Sequence, residues 1–131
     1  MTRREQRENI FKMLFRVEFH PKDEMDDQIT YFEEGIENLA QADQIYIREK
    51  CESIVSRLTE IDEAINDAAQ GWKTSRMGKV DLSLIRLAVY EIKFEEDVPT
   101  KVAINEAVEL AKKYGTDESP SFVNGILAKF A

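Results

Sequence analysis

Three arginines near the amino terminus are the residues whose type and spacing most clearly suit binding chemistry. Arg3, Arg4 and Arg7 lie within about one helical turn of each other. A guanidinium group binds a phosphate or a carboxylate through two parallel hydrogen bonds. The apolar residues that follow recur at the spacing of one helix face: Ile10, Phe11, Leu14, Phe15 and Val17. Met1–Phe19 is therefore predicted to be a helix that presents arginines from its first half, or else an ordinary core helix with a charged start.

The distribution of charge separates this segment from the residues that follow. The chain has a net charge of −8. Residues 1–20 carry five basic and three acidic side chains, and residues 21–70 carry four basic and fourteen acidic ones. Residues 71–131 carry nine of each. The chain thus has a basic start and an acidic middle, which is either an ordinary solvated surface or a face that attracts a basic partner protein.

Composition narrows the class of protein. At 131 residues, with 43% hydrophobic and 34% charged residues, the chain is predicted to form a single globular domain over residues 1–131. No apolar run reaches the length of a membrane span, and the start lacks the pattern of a secretory leader. One cysteine and one histidine make a zinc site very improbable. We therefore expect a cytoplasmic protein without a metal.

Helical periodicity runs through the rest of the chain, and no segment alternates like a strand. The longest pattern recurs every three or four positions: Ile47, Cys51, Ile54, Leu58, Ile61, Ile65 and Ala68. Asp43 is predicted to cap the helix that begins this pattern. A capping motif at Thr59 predicts two consecutive helices with a bend there. Cys51 is predicted to be a core residue and not a nucleophile. In all, about seven helices and an all-α fold are predicted.

The segment 70–79 is predicted to be a loop between two halves of the chain, because it is rich in glycine and small polar residues. Trp72 either anchors this loop in the core, which is the favoured prediction, or lies exposed as a stacking surface. Asp81 opens or caps the strongly apolar helix that follows. Arg86 lies in the middle of that helix, so it needs an ion-pair partner, which we expect to be a helix carboxylate.

The predictions for the last third of the chain concern two glycines and the start of the final helix. Gly115 is predicted to end the preceding helix in the left-handed conformation. Ser119 and Pro120 then read as the N-cap and first residue of the final helix. Gly125 lies inside that helix, where it is predicted to permit close approach by a neighbouring helix.

No catalytic group emerges from the sequence. The sequence nominates no nucleophile or carboxylate partner for His20, and no phosphate-binding glycine loop or metalloprotease motif is present. We therefore expect no catalytic residue, no cofactor and no metal ligand. Neutralising three phosphates of a single strand gives a log–log salt slope of only about −2. The arginines alone would thus bind nucleic acid weakly.

Four segments of the chain closely resemble one family. They are RRxxRExxxxxLF at 3–15, LIRLAVYEI at 84–92, DVPTKVAINEAVELAKKYG at 97–115 and FVNGIL at 122–127. In this order they resemble the bacterial NusB family of transcription antitermination factors, over essentially the whole chain.

The resemblance implies an all-helical fold of two crossed three-helix bundles. It also implies binding of single-stranded boxA RNA in a heterodimer with NusE, which is a small-subunit ribosomal protein. That complex joins RNA polymerase and other Nus factors and helps the polymerase read through terminators, notably in ribosomal RNA operons. A homodimer is a further arrangement that the resemblance leaves open.

The resemblance also implies residue roles. The arginine-rich RNA-binding motif of the family falls on Arg3, Arg4 and Arg7, with Glu5 at a position that is basic in some relatives. The start of the last helix carries two further candidate RNA contacts, Glu118 and Phe122. Phe122 either stacks on a base or belongs to the core. By position, Asp81 is the candidate contact for NusE.

Two alternative functions remain open at this stage. The acidic middle suits a purely protein-binding helical adaptor. The chain also resembles the NusB-like RNA-binding domain that some ribosomal RNA methyltransferases carry. Because it ends at Ala131 without a nucleotide-binding α/β domain, we expect an independent factor.

Overall fold

The computed structural model describes all residues from Met1 to Ala131 and contains α-helices and short 3₁₀ turns but no strand. Its seven α-helices are α1 (Arg3–Phe15), α2 (Met25–Glu34), α3 (Gln41–Ser56), α4 (Leu58–Ala69), α5 (Lys79–Phe94), α6 (Thr100–Tyr114) and α7 (Ser119–Leu127). The 3₁₀ turns are Arg16–Glu18, Lys22–Glu24, Thr74–Arg76 and Ala128–Phe130. The predicted all-α class and number of helices are confirmed.

The chain divides into two compact units, Met1–Ser56 and Arg57–Ala131. The first contains the three helices α1 to α3, and the second contains the four helices α4 to α7. The crossed arrangement of two bundles stays a prediction. None of the helices combines the length and the apolar character that crossing a bilayer requires.

In the first unit, α1 packs against α3 through its apolar face. The residues of that core are fully buried: Ile10, Met13 and Leu14 from α1, and Ile47, Cys51 and Ile54 from α3. The predicted first helix is too long at its end, because the α-helix stops at Phe15 and Phe19 is 59% exposed. The prediction for Asp43 is wrong as well, since α3 begins two residues before it and Asp43 lies in the first turn.

Cys51 lies in this core, as predicted. Its side chain is fully buried, and burial raises the pKa of the thiol to about 12. A thiol with such a pKa is uncharged at neutral pH and is a poor nucleophile.

In the second unit, α5 is the central helix. Ten consecutive residues, Leu82–Glu91, are buried, so the helix is covered around its whole circumference. Arg86 is one of them. Its Nε and Nη2 atoms donate hydrogen bonds to the two carboxylate oxygens of Asp62 on α4, at 2.9 and 2.8 Å. The predicted ion pair with a helix carboxylate is confirmed.

Helix boundaries in this half agree with the sequence in outline. The break between α3 and α4 falls at Arg57, two residues before Thr59. Ser119 is the first residue of α7, and its hydroxyl accepts a hydrogen bond from the amide of Thr116 at 2.9 Å. Glu118, and not Ser119, stands at the N-cap position.

Both glycine predictions are wrong. Gly115 has φ −95° and ψ −165°, an extended conformation that any residue adopts. What it provides is space, because a Cβ atom there would lie 2.4 Å from the Ser119 hydroxyl oxygen. Gly125 is exposed, and a Cβ atom there would have no neighbour within 4 Å.

Candidate nucleic-acid interface

The first candidate surface is the start of α1, which carries Arg3, Arg4 and Arg7; we call these three residues the arginine head. Arg3 and Arg4 are exposed and Arg7 is partly exposed. Residues four positions apart share a helix face, so Arg3 and Arg7 project from the same side. The structure thus brings the three predicted residues together on one helical turn.

A capping box fixes the first turn beneath these arginines. The amide of Glu5 donates to the Thr2 hydroxyl, and the amide of Thr2 donates to the Glu5 carboxylate, both at 3.1 Å. The bond from the Thr2 amide is the main reason that the pKa of Glu5 lies below its ordinary value. The acidic residue inside the arginine head therefore stabilises the helix that displays the arginines.

Two residues of α3 hold this helix start in place. The Asp43 carboxylate accepts a hydrogen bond from the Gln6 amide at 2.9 Å and lies 3.4 Å from the amino group of Met1. The Gln6 bond, followed by the amino group, lowers the pKa of Asp43. Tyr46 places its ring 4.8 Å from the guanidinium carbon of Arg3, in a cation–π contact. The sequence prediction missed both anchoring roles.

The second candidate surface lies at the start of α7. Glu118 is exposed, and its carboxylate accepts a hydrogen bond from the Thr116 hydroxyl at 3.3 Å. Phe122 is half-buried, so it is neither a core residue nor a freely exposed one. Its ring meets that of Trp72 edge to face, with 5.5 Å between the centroids and 71° between the planes.

Trp72 belongs to the loop of residues 70–78, which we call the tryptophan loop. The favoured prediction that Trp72 anchors this loop in the core is wrong, because the side chain is 55% exposed. Met77 is buried instead, with 4% exposure, and anchors the far end of the loop. A tryptophan among cationic residues was the sequence signal available, but sequence alone does not say which of two apolar loop residues turns inward.

Asp81 lies in the first turn of α5, where a carboxylate interacts favourably with the helix dipole. It is partly exposed, and Gly78 takes the N-cap position that Asp81 was a candidate for. No three His, Cys, Asp or Glu side chains come together anywhere in the chain in a way that would hold a metal ion.

Known proteins share both the sequence and the fold of this chain. The sequence matches the model of the NusB family over residues 4–131. The transcription antitermination protein NusB of Agathobacter rectalis is 60% identical over 131 residues, which cover 100% of both chains.

The chain belongs to the NusB family. Two solved structures share its fold. NusB of T. maritima is 39% identical with a TM-score of 0.87, covering 100% of this chain and 91% of that one. A protein chain in the crystal structure of a plectonemic RNA supercoil is 26% identical with a TM-score of 0.79, covering 98% of this chain and 94% of that one. Family membership makes the chain a transcription antitermination factor and not an enzyme.

Proposed function

We propose that this NusB-family chain binds single-stranded boxA RNA together with NusE and helps RNA polymerase read through terminators, notably in ribosomal RNA operons. The observation that carries the proposal is the arginine head, which a capping box and Asp43 hold as an ordered helical turn. Guanidinium groups on such a turn lose little freedom when they bind phosphates, so more of the interaction energy appears as affinity.

Charge limits what the arginine head does alone. Three phosphate contacts give a salt slope of only about −2, which corresponds to weak electrostatic binding. We therefore propose that NusE supplies the additional contacts and that the heterodimer is the form that binds RNA tightly. Other Nus factors and the elongating polymerase complete the assembly, in the cytoplasm.

Two residues of α7 are proposed as a further RNA contact in the second unit. Phe122 keeps part of its ring accessible for a base, and aromatic side chains stack on bases without strong sequence preference. A carboxylate such as that of Glu118 accepts hydrogen bonds from the exocyclic amino groups of bases. With the arginine head, these residues make the whole of 1–131 an RNA-binding helical domain.

For NusE we propose a contact at the start of α5. Asp81 is partly exposed there and presents a carboxylate to a basic ribosomal protein. Self-association through this surface would compete with NusE, so a homodimer is expected to dissociate as NusE is added.

Fluorescence anisotropy of a labelled single-stranded boxA RNA tests the proposal. We expect weak binding by the chain alone and at least tenfold tighter binding when NusE is present. Asp81→Lys should weaken NusE binding, whereas Asp97→Lys, a matched charge reversal in the loop before α6, should not. RNA binding that is absent with and without NusE would contradict the proposal.

The second candidate is a helical adaptor that binds only proteins. The observation in its favour is the excess of ten negative charges over residues 21–70. It predicts that NusE binds while ultraviolet crosslinking finds no RNA on α1. Crosslinks at the arginine head would exclude it.

A further inference from the structure

The tryptophan loop and the first two residues of α5 form a second cationic segment, although residues 71–131 as a whole are neutral. Residues 70–80 contain three basic side chains, Lys73, Arg76 and Lys79, and no acidic one. All three are exposed. The local excess of three positive charges is larger than that of residues 1–20.

The loop is ordered by specific contacts. At its start, Gln70 and Gly71 adopt positive φ angles of 34° and 94°, which turn the chain sharply after α4. The amide of Thr74 donates a hydrogen bond to the side-chain oxygen of Asn66 on α4 at 2.8 Å. Buried Met77 holds the other end. These contacts fix the backbone on both sides of Trp72.

Trp72 is an exposed aromatic side chain in an ordered loop. It is 55% exposed, so more than half of its surface stays accessible to solvent beside Phe122. Exposed aromatic rings among cations are the arrangement by which proteins hold single strands, because bases stack on the rings while the cations bind phosphates. A protein surface would instead meet Trp72 with apolar groups, and the adjacent cations would be buried at a cost.

We propose that Trp72 stacks on a base of single-stranded RNA, supported by Phe122, while Lys73 and Arg76 bind the neighbouring phosphates. The inference rests on the proposed RNA-binding function and extends RNA binding to the tryptophan loop. Phe122 keeps the base contact proposed above, and its ring contact helps to hold the indole in place.

The first test compares RNA affinities by anisotropy at low salt. Trp72→Ala should weaken binding about tenfold, since one base stacked on an aromatic ring contributes about 1.4 kcal/mol. Trp72→Phe should restore most of the affinity, which also shows that loss of the indole does not simply unfold the loop. Tyr31→Ala is the matched control, because Tyr31 is 62% exposed in the other unit and should have no effect.

The second test separates stacking from charge. Lys73→Ala with Arg76→Ala should reduce the magnitude of the log–log salt slope by about 1.4, because each single-strand phosphate contact contributes about 0.7. Trp72→Ala should leave the slope unchanged. Equal slopes for all three proteins would contradict the phosphate role of the loop.

The third test uses the fluorescence of Trp72, which is the only tryptophan of the chain. Unlabelled RNA should quench its emission with the same midpoint as the anisotropy titration. If the unchanged chain binds RNA while Trp72→Ala binds equally well and emission is unaffected, this inference fails and the proposed function stands. If Trp72→Ala weakens NusE binding alone, the loop is a protein contact and the inference fails. If the unchanged chain binds no RNA even with NusE, both fail.

Discussion

The arginine head and the tryptophan loop both present cations to solvent, but the chain holds them in different ways. The head depends on polar contacts at the surface, from Asp43 and the capping box of Thr2 and Glu5. The loop depends on buried Met77 and on the bond from Thr74 to Asn66. The first surface offers charge on a helix, and the second offers charge beside an aromatic ring.

From this difference we expect two kinds of RNA contact. Bonds from exposed guanidinium groups weaken as salt rises, whereas stacking on an indole is nearly independent of salt. A chain with a net charge of −8 that binds RNA gains from having both, because its overall field repels phosphates. The two surfaces are also expected to differ in what stabilises them.

The largest expected effect concerns α4 and α5, the two helices that flank the tryptophan loop. Asp62→Ala removes the bidentate partner of buried Arg86, and should lower the free energy of unfolding by about 3 kcal/mol. Urea denaturation followed by circular dichroism measures this change. Glu60→Ala is the matched control on the same helix, because Glu60 and its partner Arg57 are both exposed and their charged atoms lie 3.8 Å apart. Its effect should stay below about 0.5 kcal/mol, and equal losses in the two variants would contradict a buried pair.

The next effect concerns the helix that carries Phe122. Gly115→Ala would place a methyl group 2.4 Å from the hydroxyl oxygen of Ser119, which is 2% exposed and cannot move freely. The resulting overpacking should destabilise the chain by about 1–3 kcal/mol. Gly125→Ala is the matched control, because a Cβ atom at Gly125 meets no neighbour. It should stabilise the chain by about 0.5–1 kcal/mol because alanine favours a helix. Thermal unfolding midpoints that shift in the same direction would be inconsistent with this description.

The smallest expected effect is a pH dependence that the arginine head should show and the tryptophan loop should not. Glu5 and Asp43 have folded pKa values below their ordinary values of 4.5 and 3.8. Their stabilising contribution is therefore present above those ordinary values and is lost as pH falls through the lowered ones. The protection factor of the Glu5 amide against exchange should fall below about pH 4, while that of the Thr74 amide stays constant because Asn66 does not titrate.

A double variant provides the control for the acid experiment. Glu5→Gln with Asp43→Asn keeps hydrogen-bond acceptors at both positions but removes their titration. The loss of protection at the Glu5 amide should then disappear. If it persists with the same pH midpoint, other carboxylates cause it.

The sequence was sufficient where one periodic pattern decides the structure. The stripe of Ile10 and Leu14 predicted the buried face of α1, and burial of Arg86 in an apolar helix predicted an ion pair. Cys51 fell on a buried face and is buried. These features follow from helical spacing and from the cost of desolvating a charge, both of which are local properties of the chain.

The sequence was insufficient where three-dimensional packing decides. Trp72 and Met77 are both apolar residues of one loop, and the smaller one is buried while the larger one is exposed. Asp43 was expected to cap its own helix, but it binds Gln6 across the first unit. Such a contact spans 37 positions and has no signature in a local pattern.

The salt dependence of RNA binding tests the central proposal most directly. Anisotropy titrations over a series of salt concentrations should compare the unchanged chain with the variant Arg4→Ala plus Arg7→Ala, each with NusE. We predict that the variant binds at least tenfold more weakly at low salt and that its slope is smaller in magnitude by about 1.4. Lys112→Ala plus Lys113→Ala removes the same charge from α6 and should leave both quantities unchanged. An arginine variant with the affinity and slope of the unchanged chain would contradict the RNA-binding role of the arginine head.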